Sequence, residues 1–143
     1  MKTGLWSNIK VNTNLYKVDF GSKLNKDTPG AGVWLNGYCM IFASALNVVF
    51  GYPVYAVYNS KLQEYVHYFC YINNHYIDVR GIIDDRNMFF KEFDDVIDIE
   101  SIKDDNVLAI TNDELVGYRR FSEFVMCIRF IIKHLKWYKG VTC

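Results

Sequence analysis

Apolar and polar positions divide the chain into segments of different period. Residues 38–50, YCMIFASALNVVF, are apolar almost without interruption and stop at Gly51, with Pro53 two residues later. Glycine at a C-cap followed by proline ends a helix. Ala43, Ala45 and Leu46 favour helix over strand. A helix without a polar face predicts burial, and Asn36 is the candidate N-cap. Two runs rich in β-branched and aromatic residues follow, Val54–Tyr58 and Glu64–Ile72. Asn73-Asn74 then precedes His75–Val79 and Arg80-Gly81. Asparagine tolerates positive φ, so strand-like runs on either side of Asn-Asn predict a β-hairpin.

The flanking segments are more polar. Residues 1–36 are turn-rich, with a loop at Asp27-Thr28-Pro29-Gly30-Ala31-Gly32 and room for a short strand near Leu15–Phe20. Residues 84–110 are acidic and irregular, with a short helix expected over Met88–Phe93 and a short strand over Val107–Ile110. Thr111-Asn112-Asp113-Glu114 matches a capping box. After it, Tyr118, Phe121, Phe124, Val125, Ile128, Ile131, Ile132 and Leu135 recur at three- and four-residue steps. They predict one long amphipathic helix to about Tyr138, its stripe packed on the core, although Gly117 weakens the first turn. The expected architecture is α+β: residues 1–143 form a single domain in which a buried helix packs on an antiparallel sheet and a long C-terminal helix covers the core.

Composition narrows the classes. A chain of 143 residues with 51% hydrophobic content can bury a core without disulfide or metal staples and is too apolar for a disordered chain. No apolar run is long enough to span a bilayer, and MKTGLWSNIKVNTN lacks the apolar core of a secretory signal. The 16 basic and 16 acidic residues cancel, which removes the simplest argument for nucleic-acid binding. The charge is uneven, however. Residues 84–114 hold 11 acidic and 3 basic side chains, and residues 115–143 hold 6 basic and 1 acidic. Pairing of the acidic segment with the basic helix, or a polar surface for a partner, would each account for this. Cysteines at 39, 70, 127 and 143 form no C-x-x-C pair and lie near no H-x(3–5)-H pair, so neither a zinc site nor a disulfide framework is expected. Reduced thiols in a cytoplasm are the simplest reading.

Candidate chemistry centres on Cys39 at the start of the apolar helix. Unpaired N–H groups and the positive dipole end favour a thiolate there and can stabilise an oxyanion. Gly37 allows close approach to the backbone. A two-residue loop at Asn73-Asn74 sets 69 opposite 78 and 67 opposite 80. Alternation then puts His67, Phe69, Tyr71, Tyr76, Asp78 and Arg80 on one face, and Tyr68, Cys70, Ile72, His75, Ile77 and Val79 on the other. His67 and Asp78 become diagonal neighbours, and His75 is excluded. In such a trio the imidazole takes the thiol proton and the carboxylate orients the imidazole. Arg80 shares the face and could pair with Asp78, with the acidic segment or with a substrate carboxylate. Cys70 is expected in the core and Cys127 beside the apolar stripe, while His134 is expected to be solvated near the end of the last helix.

Gly37-Tyr38-Cys39-Met40-Ile41-Phe42-Ala43-Ser44-Ala45 resembles the nucleophile helix of the papain-like and transglutaminase-like cysteine enzymes, with their G-x-C-x-x-F-[AS] pattern. The order Cys39, His67, Asp78 repeats the family order of Cys on a helix start, His on a strand and Asp or Asn on the next strand. The resemblance covers about residues 36–81. The short Cys–His interval and the Asp third member look more transglutaminase-like than papain-like. Papain-like enzymes carry a glutamine six residues before the cysteine; Val33 stands there, leaving Asn36 or a backbone N–H for the oxyanion. Tyr76 stands where transglutaminase-like proteins often have a tryptophan two residues before the acid.

The resemblance implies cysteine-dependent acyl transfer on an amide, by a protease, deamidase or transglutaminase-type enzyme of bacterial or phage origin, with no metal or organic cofactor. Cys39, His67 and Asp78 would be catalytic; Asn36, Gly37, Tyr38 and Arg80 would line the oxyanion or substrate site. The expected partner is a protein or peptide substrate in a bacterial or phage-infected cytoplasm, with no nucleic acid and no membrane. The alternative is a small phage or bacterial inhibitor that binds a host protein through its acidic segment and tyrosines. Abundant Asn, Lys, Ile and Tyr with little proline suit an AT-rich genome.

Overall fold

The computed structural model describes residues 39–61, 63–90 and 106–141. The expected strand near 15–20, the loop at 27–32, the N-cap Asn36, Gly37, Tyr38, most of the acidic segment and Cys143 lie outside the described residues. Helix α1 spans Cys39–Phe50. Strands β1 (Val54–Asn59), β2 (Glu64–Ile72), β3 (His75–Asp78) and β4 (Gly81–Ile83) follow, then helix α2 (Arg86–Phe90). Strand β5 (Val107–Ala109) precedes helices α3 (Asn112–Tyr118), α4 (Ser122–Lys133) and α5 (Leu135–Tyr138). The strands form an antiparallel five-stranded sheet in the order β4-β3-β2-β1-β5. The fold is α+β.

Local chemistry sets these boundaries. Gly51 takes φ +77°, and its N–H closes on the Asn47 carbonyl at 2.8 Å, ending α1. Asn73 and Asn74 both have positive φ, 50° and 63°, as a two-residue hairpin turn requires. The pairs Cys70↔Ile77, Tyr71↔Tyr76 and Ile72↔His75 give the register expected from that loop. Thr111 caps α3 by accepting from the Glu114 N–H at 3.4 Å. Strand β4, which pairs Tyr76↔Ile83 through Asp78↔Gly81, extends the sheet by a strand that the hydrophobic pattern does not reveal.

Both faces of the sheet are covered. On one, Cys70, Ile77 and Val79 are buried, and the Cys70 thiol reaches the Ala43 carbonyl of α1 at 3.6 Å. Helix α1 is in turn overlaid by α4, with the Phe42 and Phe130 rings 6.4 Å apart. On the other face, Phe89 and Phe90 of α2 pack on Phe69 at 5.1 and 5.7 Å between ring centroids. The Tyr138 hydroxyl donates to the Val79 carbonyl at 2.7 Å, and the Tyr52 hydroxyl donates to the Tyr138 carbonyl at 2.8 Å. These two bonds tie α5 to the sheet.

The expected single C-terminal helix is instead three helices. The chain breaks at Arg119–Phe121 and again at His134. Gly117 makes the first break cheap in helix propensity. Arg119 anchors it, because its guanidinium donates to Ser44 Oγ at 3.1 Å and Asn47 Oδ1 at 2.8 Å on α1. At the second break, the His134 ring stacks on Trp137 at 3.9 Å and lies 4.5 Å from Phe130, so it is half-buried rather than solvated. The two breaks rotate the apolar stripe out of register. Leu115, Cys127, Phe130, Ile131 and Tyr138 are buried, whereas Phe121, Val125, Ile132 and Leu135 are exposed. The stripe therefore serves the core in part, contrary to the expectation from periodicity.

Leu46→Ala removes a fully buried side chain from the α1 core and is expected to cost about 2–5 kcal/mol of stability. Ile132→Ala, 55% exposed, is expected to change stability by no more than about 0.5 kcal/mol. Guanidinium unfolding of both variants checks this assignment of the core.

Candidate active site

The hairpin register places His67 and Asp78 together, as parity requires. His67 Nε2 lies 2.9 Å from Asp78 Oδ2, with His67 fully buried and Asp78 nearly so. Phe69 and Phe89 flank the imidazole, with ring centroids 6.1 and 5.9 Å away. His75 lies on the opposite face, its Nδ1 2.7 Å from the Asn73 carbonyl.

The ladder between β2 and β3 stops where the site begins. Ile72↔His75 closes the two-residue loop and is a hydrogen-bonded pair, so such pairs recur at Cys70↔Ile77 and next at Tyr68 and Val79. That last pair is not made. The Tyr68 N–H donates to Cys39 Sγ at 3.5 Å, and the Val79 carbonyl accepts from Tyr138. The first residue of α1 thus occupies the position along β2 that β3 leaves. Cys39, 8% exposed, lies near enough to His67 to help raise the imidazole's pKa. Asp78 engages Nε2, so Nδ1 is the nitrogen on the opposite side of the ring from the carboxylate.

A bulge lies beside the histidine. Val57 pairs with His67 but Tyr58 pairs with Tyr65, so Val66 is the extra residue on β2. Bulges re-aim side chains and recur beside functional sites. Periodicity did not reveal this one, since the run reads as continuous strand.

Asp78 carries the electrostatic load. Burial opposes its charge, but the Arg80 guanidinium and the hydrogen bonds from His67 and Arg80 hold its carboxyl well below the usual carboxylate range. Arg80 Nη2 reaches Oδ2 at 2.7 Å, Nε reaches Oδ1 at 3.0 Å, and the Arg80 N–H reaches Oδ1 at 2.9 Å. The two-residue turn between β3 and β4 folds Arg80 back on Asp78, with Gly81 at φ +112° completing it. The guanidinium also donates to the Phe89 carbonyl at 3.1 Å and lies 4.5 Å over the Phe89 ring. Arg80 is fully buried. It braces the carboxylate, which is the first of the three pairings that its place on the shared face allowed.

His67 shows the same balance in reverse. Burial lowers its pKa, but hydrogen bonds to Asp78 and Cys39 and the charges of both outweigh that cost, so the net shift is upward. The protonated ring is favoured, which is the state reached when a thiol hands over its proton. The remaining described thiols differ. Cys70 and Cys127 are fully buried, and burial pushes both pKa values well up. Among the described residues, no group of three or more His, Cys, Asp and Glu side chains could hold a metal ion, and no helix is long and apolar enough to cross a membrane.

The shifts have signed consequences. The stabilisation that Asp78 contributes is present above its unfolded value, about 3.9, and is lost as pH falls toward the depressed folded value. The stabilisation from His67 is full below its ordinary value of 6.5 and is lost as pH rises through the raised folded value. Unfolding free energy measured from pH ~5.5 to ~8.5 is expected to fall at the upper end, and His67→Gln is expected to remove that component. Arg80→Ala, which leaves a buried carboxylate without its cation, is expected to cost about 3–5 kcal/mol in the same assay.

No family model, curated protein or solved structure matches the chain.

Proposed function

We propose that the chain is a thiol-dependent acyl-transfer enzyme acting on an amide. The observation that carries this reading is that His67, 2.9 Å from the Asp78 carboxylate, is next in β2 to Tyr68, whose N–H meets the thiol at the start of a 12-residue helix. In the first half-reaction, His67 takes the thiol proton at Nδ1 as Cys39 Sγ bonds to the carbonyl carbon. The proton then passes to the leaving amine as the C–N bond breaks, which leaves a thioester. In the second, water or an amine attacks the thioester while His67 takes its proton, and Cys39 is released. Water gives proteolysis or deamidation, and an amine gives transamidation. Asp78 stays ionised and fixes the tautomer and direction of the ring. The Tyr68 N–H fixes the sulfur. Backbone N–H groups of the helix start, with Asn36, Gly37 and Tyr38 before it, would meet the oxyanion.

A second reading has its own support. Phe121, at the N-cap of α4, and Val125 and Ile132 on the helix are half-exposed, along with the exposed cations Arg129 and Lys133. Such a surface suits an interaction protein that binds a host target, and an enzyme could use it as well.

Limiting iodoacetamide, with the label located by mass spectrometry, tests the enzymatic reading. Cys39 is expected to alkylate well before Cys70 and Cys127, and His67→Ala is expected to slow it by about a hundredfold. Slow labelling of all the thiols alike, indifferent to His67, would falsify the proposal. Lysate proteins exposed to wild type but not to Cys39→Ala should then show new termini or amide-to-acid mass shifts.

A further inference from the structure

A row of tyrosines leads to the thiol. Tyr58 and Tyr65 lie 5.5 Å apart between ring centroids, Tyr65 and Tyr68 lie 5.1 Å apart, and Tyr68 and Tyr118 lie 5.5 Å apart. All four are half-buried. A regular strand would send residues 65 and 68, three apart, to opposite faces. The extra residue at Val66 reverses that parity and brings them together. The bulge that adjoins His67 therefore also builds the row.

The row ends on a carboxylate. The Tyr68 and Tyr118 hydroxyls are 3.0 Å apart, and the Tyr118 hydroxyl donates to Glu114 Oε2 at 2.9 Å. Tyr118 has one proton, committed to an acceptor-only group, so toward Tyr68 it accepts. Burial raises both phenol pKa values, and the hydrogen bond that Tyr118 donates to Glu114 raises its own further, so both rings stay neutral. Glu114 is exposed and supplies the negative charge at this end. Arg119 and Arg80 have other partners: Arg119 donates to Ser44 and Asn47 on α1, and Arg80 is paired with Asp78. Cys39 lies beside the row, since the N–H of Tyr68 meets its sulfur.

We infer that this site takes substrates with a cationic side chain, lysine or arginine, next to the reacting carbonyl. Tyr65, Tyr68 and Tyr118 offer ring faces to the cation, and Glu114 supplies its counter-charge. The inference rests on the acyl-transfer reading and names its substrate class. Ring faces attract cations through their quadrupole, and an acidic group beside them adds selectivity over neutral and anionic residues.

Charged thiol reagents test this without a known substrate. The Cys39 thiolate attacks a methanethiosulfonate at its sulfenyl sulfur, forming a disulfide and expelling methanesulfinate. Rates at Cys39, located by mass spectrometry, are compared for the trimethylammonium-ethyl and sulfonato-ethyl reagents, with the neutral methyl reagent normalising each variant. Relative to a free thiol, the cation is expected to be favoured about tenfold over the anion. Glu114→Gln is expected to reduce that preference about threefold, and Tyr65→Leu to slow the cationic reagent about two- to fivefold. A charge preference equal to that of a free thiol, or one unmoved by Glu114→Gln, overturns the cation subsite while the triad stands. A neutral-reagent rate indifferent to His67→Ala removes the triad, and the subsite with it.

Discussion

The arrangement depends on keeping one carboxylate ionised out of water. A buried carboxylate without partners would take up a proton rather than stay charged. Asp78 avoids this because a two-residue turn returns Arg80 onto it, with contacts to both oxygens and a backbone N–H besides. Once that charge is fixed, His67 has a strong acceptor for Nε2, which sets the direction of the ring. Phe89 closes the arrangement by accepting from the guanidinium and shielding the imidazole. Strand β4 and helix α2 are thus the means by which a diagonal pair on a hairpin becomes an oriented, buried pair.

The second constraint is the interrupted ladder. Had β2 and β3 paired one step further, Tyr68 and Val79 would have satisfied each other and the edge of β2 would have been closed to Cys39. The chain gives each group a different partner, a sulfur for the N–H and a tyrosine hydroxyl for the carbonyl. Both of these groups keep a partner while a gap opens for the start of α1. The bulge at Val66 acts on the same stretch, so both irregularities of β2 fall within three residues of the imidazole.

Sequence pattern made the centre legible and the periphery less so. Asn73-Asn74 fixed the hairpin register, and register alone gave the His67–Asp78 pair, because side-chain period in a strand leaves no freedom once the loop length is known. Gly51 and Thr111 marked helix ends through local chemistry. The bulge left no trace in EYVHYFCYI, since every residue there suits a strand. Strand β4 was missed because three residues after a turn carry too little periodicity. The role of Phe89 depends on a contact with Arg80 across the sheet face, which spacing cannot encode. The C-terminal stripe misled for a different reason. Its period was real, but Arg119 bonds to α1 and breaks the helix, a tertiary tie that overrides local propensity.

The contrast between the thiols shows why position outweighs residue type here. Cys70 sits next to the site in sequence and in the same strand as His67, yet it faces α1 and its nearest polar partners are the carbonyls of Ala43 and Tyr52. Burial, with the negative charge of Asp78, disfavours a thiolate, and its pKa rises accordingly. Cys39 instead meets an N–H donor and an imidazole whose protonated form is favoured. Alternation in β2 puts Cys70 and His67 on opposite faces, and the broken ladder lets a cysteine from elsewhere in the chain reach the histidine. One strand thereby holds an inert sulfur in the core and positions a second sulfur, from helix α1, against the base.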